Sequence, residues 1–209
     1  MKLRYSERAI KMKDILTAIK DRRSYYSIEK KSPISDDELI EALKTIVKNS
    51  PSGFNMQSGK IVILLDEHHD KLWDIVMNTL RDRVPTDKFG ESEKKINGFA
   101  AGYGTVMYFD DKAIVEKTAE ENPKYADNFR LWAEHGMGIL QVNIWNVLEA
   151  MGFGVNIQHY NPIIDEEVKS TWNIPESWAL RAQMPFGLPT AEPKEKEFLP
   201  IEERVKIYK

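Results

Sequence analysis

The chain has 209 residues, the size of one well-cored domain, with 42% apolar residues including five Trp, 30% charged residues and a mean hydropathy of -0.49. A net charge of -3 with interspersed signs lacks the basic face that nucleic acid requires, and no run approaches the ~20 apolar residues of a membrane span. With no Cys, disulfides, thiolate catalysis and Cys-based metal sites are excluded.

Met1–Arg8 is charged and carries no apolar signal region, so a cytoplasmic location is expected, with no nucleic-acid or membrane partner. Residues 12–23 place Ile15, Leu16 and Ile19 at helical spacing opposite Lys13, Asp14, Lys20 and Asp21, which predicts an amphipathic helix. Its end delivers Arg22, Arg23 and Ser24, then Tyr25 and Tyr26. Two guanidiniums and a hydroxyl can clamp a phosphate directionally, and basic residues also complement a helix C-terminus; these residues alone suit both uses.

Ser35 and Glu38 form a capping box ahead of Leu39, Ile40, Leu43, Ile46 and Val47, predicting a helix to about Lys48. Ser50–Gly59 follows, rich in turn formers and standing before a strand over 60–65. Such a loop suits planar polar ligands at a strand's mouth, and it equally suits a plain helix-to-strand connection. Residues 67–82 predict a helix with Leu72, Ile75, Val76 and Leu80 inward and Trp73 at its edge. His68 and His69 diverge on a helix and are expected in solvent at its start rather than on a metal.

Arg81–Gly98, charged and broken by Pro85 and Gly90, reads as an exposed connection; it suits a segment covering a pocket and equally suits plain solvent exposure. Thr105–Phe109 is β-branched and aromatic, a second strand. After Pro123 the longest helix runs to about Met151, apolar from Met137 through Leu140, Ile144 and Val147 to Leu148. It is expected at the core, with another backbone close to Gly136 and Gly138, and with Met137 and Trp145 packing rather than stacking on a ligand. Val155–Gln158 predicts a third strand presenting His159, Tyr160 and Asn161, a placement that fits ligand contacts or a hydrated turn before Pro162. A helix over 165–171 and a strand over 178–184 come next, with Phe186–Gly187 beginning the exit. Pro189–Lys209 holds three prolines and alternating charge, the composition of a disordered tail or of an arm laid on a neighbouring subunit.

No Gly-rich nucleotide loop, paired-carboxylate signature or Gly-x-Ser-x-Gly elbow occurs, which counts against hydrolysis and phosphoryl transfer. A phosphate clamp, amide donors and aromatics remain, which suits a mononucleotide-like cofactor such as a flavin.

These residues resemble the FMN-dependent nitroreductase family. The likeness lies in Arg22-Arg23-Ser24, in Pro51-Ser52-Gly53-Phe54-Asn55-Met56-Gln57 before a strand, and in the run from Gly152-Phe153-Gly154 to Pro162. Ala101–Val106, Leu140-Gln141 onward, Gln158–Pro162 and Pro185-Phe186-Gly187 through Pro200–Val205 look like its short branch linked to hydroperoxide and fatty-acid responses. The resemblance spans nearly the whole chain. It implies an α+β fold with a mostly antiparallel four- to five-stranded sheet flanked by helices. The chain would be one domain over 1–209, entwined as a homodimer, with 189–209 as an arm over the partner.

By the same resemblance Arg22, Arg23 and Ser24 hold the FMN phosphate and ribityl, while Pro51, Ser52, Gly53 and Asn55 reach the flavin of the partner subunit. Gln57 lies near that ring, and Ile157, Gln158, His159 and Tyr160 match the segment whose backbone faces the ring edge and N5. Lys196 matches a basic residue of the tail that meets the phosphate, with Lys194 its competitor. Tyr26 stands where many relatives carry a basic residue, and Gln158-His159-Tyr160 replaces a Pro-Ile-Glu-Gly-like segment, which leaves the substrate open. The implied activity is an NAD(P)H-dependent, ping-pong reduction of nitroaromatics, quinones or related small oxidants, with no obligatory catalytic side chain. The alternative implied by the branch is a flavin-binding regulatory or protective protein with slow or no turnover.

Overall fold

A computed structural model describes residues 13–209. Met1–Arg8, and the start of the predicted first helix at residue 12, lie outside the described residues. Helix α1 (Ile15–Asp21) begins where the Asp14 carboxylate accepts the backbone N–H of Leu16 and Thr17. Strand β1 (Ile28–Glu29) is followed by α2 (Asp36–Asn49), whose capping box forms as predicted between Ser35 and Glu38. Then come β2 (Gly59–Leu65), α3 (Asp66–Arg81), α4 (Phe89–Ala100) and β3 (Gly104–Asp111). Helices α5 (Lys112–Glu121) and α6 (Ala126–Ala150) precede β4 (Gly154–Val155), α7 (Asp165–Trp172) and β5 (Trp178–Pro189).

The sheet runs β1-β5-β3-β2 with β4 also on β5, and every pairing between these strands is antiparallel. β3 is central and buried on both faces, so its side chains alternate between two cores. Val106 and Tyr108 meet Leu39, Leu43 and the α6 stripe Met137, Leu140, Ile144 and Leu148. Met107 and Phe109 meet Leu72, Ile75 and Val76 of α3, Ile96 and Phe99 of α4, and Val168 of α7. Helix α6 is therefore a core element, with Met137 packed as expected.

Several sequence expectations are corrected. Residues 89–100 form a helix rather than an open connection, because Ile96, Phe99 and Ala100 make an apolar stripe that packs on α3. Trp73 is buried rather than at an edge, and His69 is fully buried rather than solvated. The third strand is shorter than predicted, since Pro185 opposite it has no N–H to continue the ladder; only an isolated bridge from Gln158 to Gln183 follows. The last strand is longer, because Gly187 is no exit: a Cβ there would stand 2.4 Å from the Glu29 carbonyl, and its absence lets β1 pair. Gly136 does admit a close neighbour, Ser52, whereas Gly138 has nothing within 4 Å. The face of α1 carrying Ile15, Leu16 and Ile19 is exposed, and so is nearly all of the segment after Thr190.

Candidate functional site

The C-terminal end of α1 is fastened to the sheet, which fixes the basic cluster. Ser24 bridges Val155 in parallel, and the Tyr25 N–H donates to the Val155 carbonyl at 2.9 Å. Arg22, Arg23, Ser24 and Tyr26 thereby border a cavity of about 1220 Å³, together with Gln158, Lys194 and Lys196. The far wall is α4, through Lys94, Lys95, Gly98 and Phe99. Six cations and three carboxylates (Glu91, Glu195, Glu197) border this space, so its balance is positive. The Arg22 guanidinium lies 4.8 Å from the Trp145 ring centroid, a cation–π contact that orients it, and Arg23 donates to the Lys194 carbonyl, tying the tail to the cavity. Arg22, Arg23, Lys194 and Lys196 form no ion pair among the described residues. Their charge is available to an anionic group, and both tail lysines reach the cavity.

Of the segment 157–160, one side chain borders the cavity. Gln158 does so, while Ile157 packs in the core, His159 is exposed and Tyr160 stands edge-on to Trp73 at 6.0 Å. Burial pushes the Tyr160 phenol up, so it stays neutral. Beneath them runs a buried amide network. The Tyr160 N–H donates to Gln183 Oε1 at 2.8 Å, Gln158 Nε2 to Asn156 Oδ1 at 2.8 Å, and Asn156 Nδ2 to the Tyr25 carbonyl at 2.7 Å. Asn156 and Gln183 are completely buried.

The loop 51–57 is built differently. Phe54, Asn55 and Gln57 have φ of 53°, 55° and 55°, left-handed values that non-glycine residues rarely adopt. Phe54 holds them by stacking on Trp132 at 5.6 Å and meeting Phe129 edge-on at 5.2 Å. Gly53 permits this contact, since a Cβ there would come within 2.9 Å of Trp132 Cβ. The Ser52 hydroxyl accepts the Gln57 N–H at 3.0 Å, and Asn55 is left exposed. Pro51, Ser52 and Gln57 border a separate cleft of about 150 Å³. The two predicted polar groups thus do not share one cavity within this chain.

Lys94 and Lys95, within the charged stretch, and Phe99, just after it, border the cavity without being signalled by the sequence. Sequence reasoning also passed over Gln183, although a lone amide inside an apolar strand signals a buried hydrogen-bond partner. Among the described residues no group of three or more His, Asp or Glu could hold a metal ion.

The mostly antiparallel five-stranded sheet flanked by helices is a nitroreductase-like fold. The Nitroreductase family model matches residues 19–188, and the chain belongs to that family, which makes it a nitroreductase-type oxidoreductase. Nitroreductase FRM2 of Saccharomyces cerevisiae is 32% identical over 186 residues, covering 88% of this chain and 92% of that protein. Nitroreductase CinD of Lactococcus lactis, in complex with chloramphenicol, is 39% identical with a TM-score of 0.85, covering 94% of this chain and all of that one. The same enzyme with 4-nitrophenol matches at 40% identity and a TM-score of 0.84, again over 94% of this chain and 100% of that one. A Desulfitobacterium hafniense nitroreductase with bound FMN shares the fold at 15% identity and a TM-score of 0.68, covering 95% of this chain and 100% of that one.

Proposed function

We propose that this chain is an FMN-dependent oxidoreductase that uses NAD(P)H to reduce nitroaromatics, quinones or related small oxidants. The observation that carries this reading is the convergence of Arg22, Arg23, Ser24, Lys194 and Lys196 on one cavity that also contains Gln158. Unpaired cations and a hydroxyl fit a phosphate, an apolar wall at Phe99 and an amide at Gln158 fit a planar polar ring, and the space is ample for FMN. A bound flavin would supply the redox chemistry, taking hydride from NAD(P)H at N5 and giving reducing equivalents to the oxidant in ping-pong order. The chain's own groups bind and orient: Arg22, Arg23, Ser24 and Lys196 hold the phosphate and ribityl, with Tyr26 beside them, and the backbone of 157–160 lies along the ring edge. The complexes of CinD with chloramphenicol and 4-nitrophenol, both nitro compounds, favour nitroaromatic oxidants for this relative too.

The working form is a homodimer of one-domain chains over 1–209. The apolar face of α1, Leu131 and Val142 of α6, and Phe198, Leu199 and Ile207 of the tail are each exposed, apolar surface of the kind a partner would cover. In that dimer Pro51, Ser52, Gly53, Asn55 and Gln57 serve the partner's flavin, and residues 189–209 lie across the partner as an arm. No described helix is long and apolar enough to cross a membrane, and a cytoplasmic setting is part of this reading. The test is the visible spectrum of purified protein, followed by anaerobic NADH or NADPH and then a panel of acceptors. A flavin spectrum that bleaches within seconds and returns on adding a nitroaromatic is expected. Colourless protein that takes up no FMN, or flavin that fails to bleach, would refute the assignment.

A further inference from the structure

The buried amide network has a direction, and the direction fixes what Gln158 offers to the cavity. It begins at the Tyr25 carbonyl, which can only accept a hydrogen bond. Asn156, fully buried, must therefore turn its Nδ2 toward Tyr25, and does so at 2.7 Å. Its Oδ1 then faces Gln158, which must supply Nε2, at 2.8 Å. Each amide is oriented by the one before it, so neither can be turned over without setting oxygen against oxygen. The Gln158 backbone is locked as well, exchanging N–H···O bonds with Gln183 at 2.7 and 2.9 Å. Gln183 is itself held, accepting the Tyr160 N–H and donating to Asn161 Oδ1 at 3.4 Å. One Nε2–H is committed to Asn156, and Oε1 makes no hydrogen bond among the described residues, so Oε1 is the acceptor left to the cavity that Gln158 borders.

We infer that Gln158 is a fixed hydrogen-bond acceptor for the imide N3–H of the flavin ring, with Asn156 and the Tyr25 carbonyl as the groups that position it. The inference rests on the FMN reading above and deepens it. An oxidised isoalloxazine shows acceptors at N1, N5 and both carbonyls and a donor only at N3, so a rigid carbonyl is complementary to one edge of the ring and opposed to the others. A freely rotating glutamine would serve either kind of edge. Anchored through Asn156, it selects the orientation with the imide toward β4 and the phosphate toward Arg22 and Arg23, and it admits a ring only in that sense.

The test pairs a protein change with a ligand change. FMN and 3-methyl-FMN, which lacks the N3 proton, are titrated into flavin-stripped full-length protein, and binding is followed by flavin fluorescence. The native chain is expected to prefer FMN. Gln158→Met, similar in length but without the acceptor, should bind FMN about two- to tenfold more weakly and lose the preference. Asn156→Leu should shrink the preference by freeing the Gln158 amide, and Gln158→Glu should shrink it too, because its second oxygen would face Asn156 Oδ1 and break the anchor. A Gln158→Met protein that still prefers FMN as strongly as the native chain would overturn the assignment, as would an equal loss toward both flavins. Native protein that binds neither flavin would instead strike at the FMN reading itself.

Discussion

Two polar regions of the molecule are held in place by opposite means. At the cavity, the backbone from Arg22 to Tyr26 and the Gln158 side chain are positioned by hydrogen bonds: the Ser24–Val155 bridge, the Tyr25 carbonyl, and the amides of Asn156 and Gln183. At the loop 51–57, position comes from rings, with Phe54 sandwiched among Trp132, Phe129 and Tyr125 while three residues take left-handed backbone. The difference teaches where each region is vulnerable. A directional network fails when one polar group is removed or charged, because a buried partner is left unsatisfied. An aromatic platform tolerates polar changes and fails when a ring is truncated.

The largest effect expected is a complementation that tests whether these regions serve one site across two chains. Arg22→Ala and Arg23→Ala should each weaken FMN binding by about 1.5–3 kcal/mol, the worth of a hydrogen bond to a charged group. A chain carrying both changes should therefore bind FMN very poorly. Mixed with an Asn55→Ala chain, it should form heterodimers in which one site combines both defects and the other has intact clamp and intact loop. Half of the heterodimer sites should then titrate with native affinity. If every site is weakened instead, the loop serves its own chain's clamp.

Next in size is the platform itself. Trp132→Ala should destabilise the chain by about 3 kcal/mol, at the low end for such truncations because Trp132 is only partly buried. Urea unfolding measures this, and the left-handed residues should become protease-sensitive before the rest. A loss well under 1 kcal/mol would show that the loop holds its shape without the stack.

In both regions the polar residues were legible in sequence, and the groups that hold them, the rings of Trp132, Phe129 and Tyr125 and the amides of Asn156 and Gln183, were not. The capping box at Ser35, the apolar stripe of α6 and the turn residues 50–59 are local signals, readable within one element. Helix α4 was obscured because Gly90 and the flanking charges mask a stripe of only Ile96, Phe99 and Ala100. Strand β1 is two residues long and exists through its pairing with β5. His69 shares a stripe with Leu72, Trp73 and Val76, so its burial was readable, but the partners that make it tolerable lie far along the chain. The same holds for Asn156 and Gln183, and for a cavity whose walls come from α1, α4, β4 and the tail.

His69 extends the contrast to pH. Its Nε2–H donates to the Ala100 carbonyl at 3.2 Å, where α4 ends, and its Nδ1 accepts from the Thr105 hydroxyl at 2.9 Å, which in turn accepts from Trp73 at 3.1 Å. Burial holds the imidazole below its ordinary value of 6.5, outweighing the opposite pull of the Ala100 bond. The unfolded chain therefore binds the proton more readily, so stability should be full above about pH 6.5 and fall as pH drops below it. Denaturation midpoints from pH 7.5 to 5 should show this slope, and His69→Gln should flatten it. An unchanged slope would mean that carboxylates alone govern the acid limb.

The smallest effect lies at the far end of α2, the helix that delivers the chain into the loop. The Tyr103 hydroxyl donates to Asp36 Oδ1 at 2.5 Å, tying the first turn of α2 to the residue before β3. That bond, followed by partial burial, raises the phenol to about 12. Since the folded value lies above the ordinary 10.0, the contribution is complete below pH 10.0 and is lost as pH rises from there toward about 12. Tyr103 is only half-buried and α2 has its own capping box, so Tyr103→Phe should cost no more than about 1 kcal/mol at neutral pH. Because the loop rests on α6 rings rather than on α2, FMN affinity should be unchanged in this variant. A weakened affinity would show that the loop's position depends on hydrogen bonds after all, and that the two regions differ less than their construction suggests.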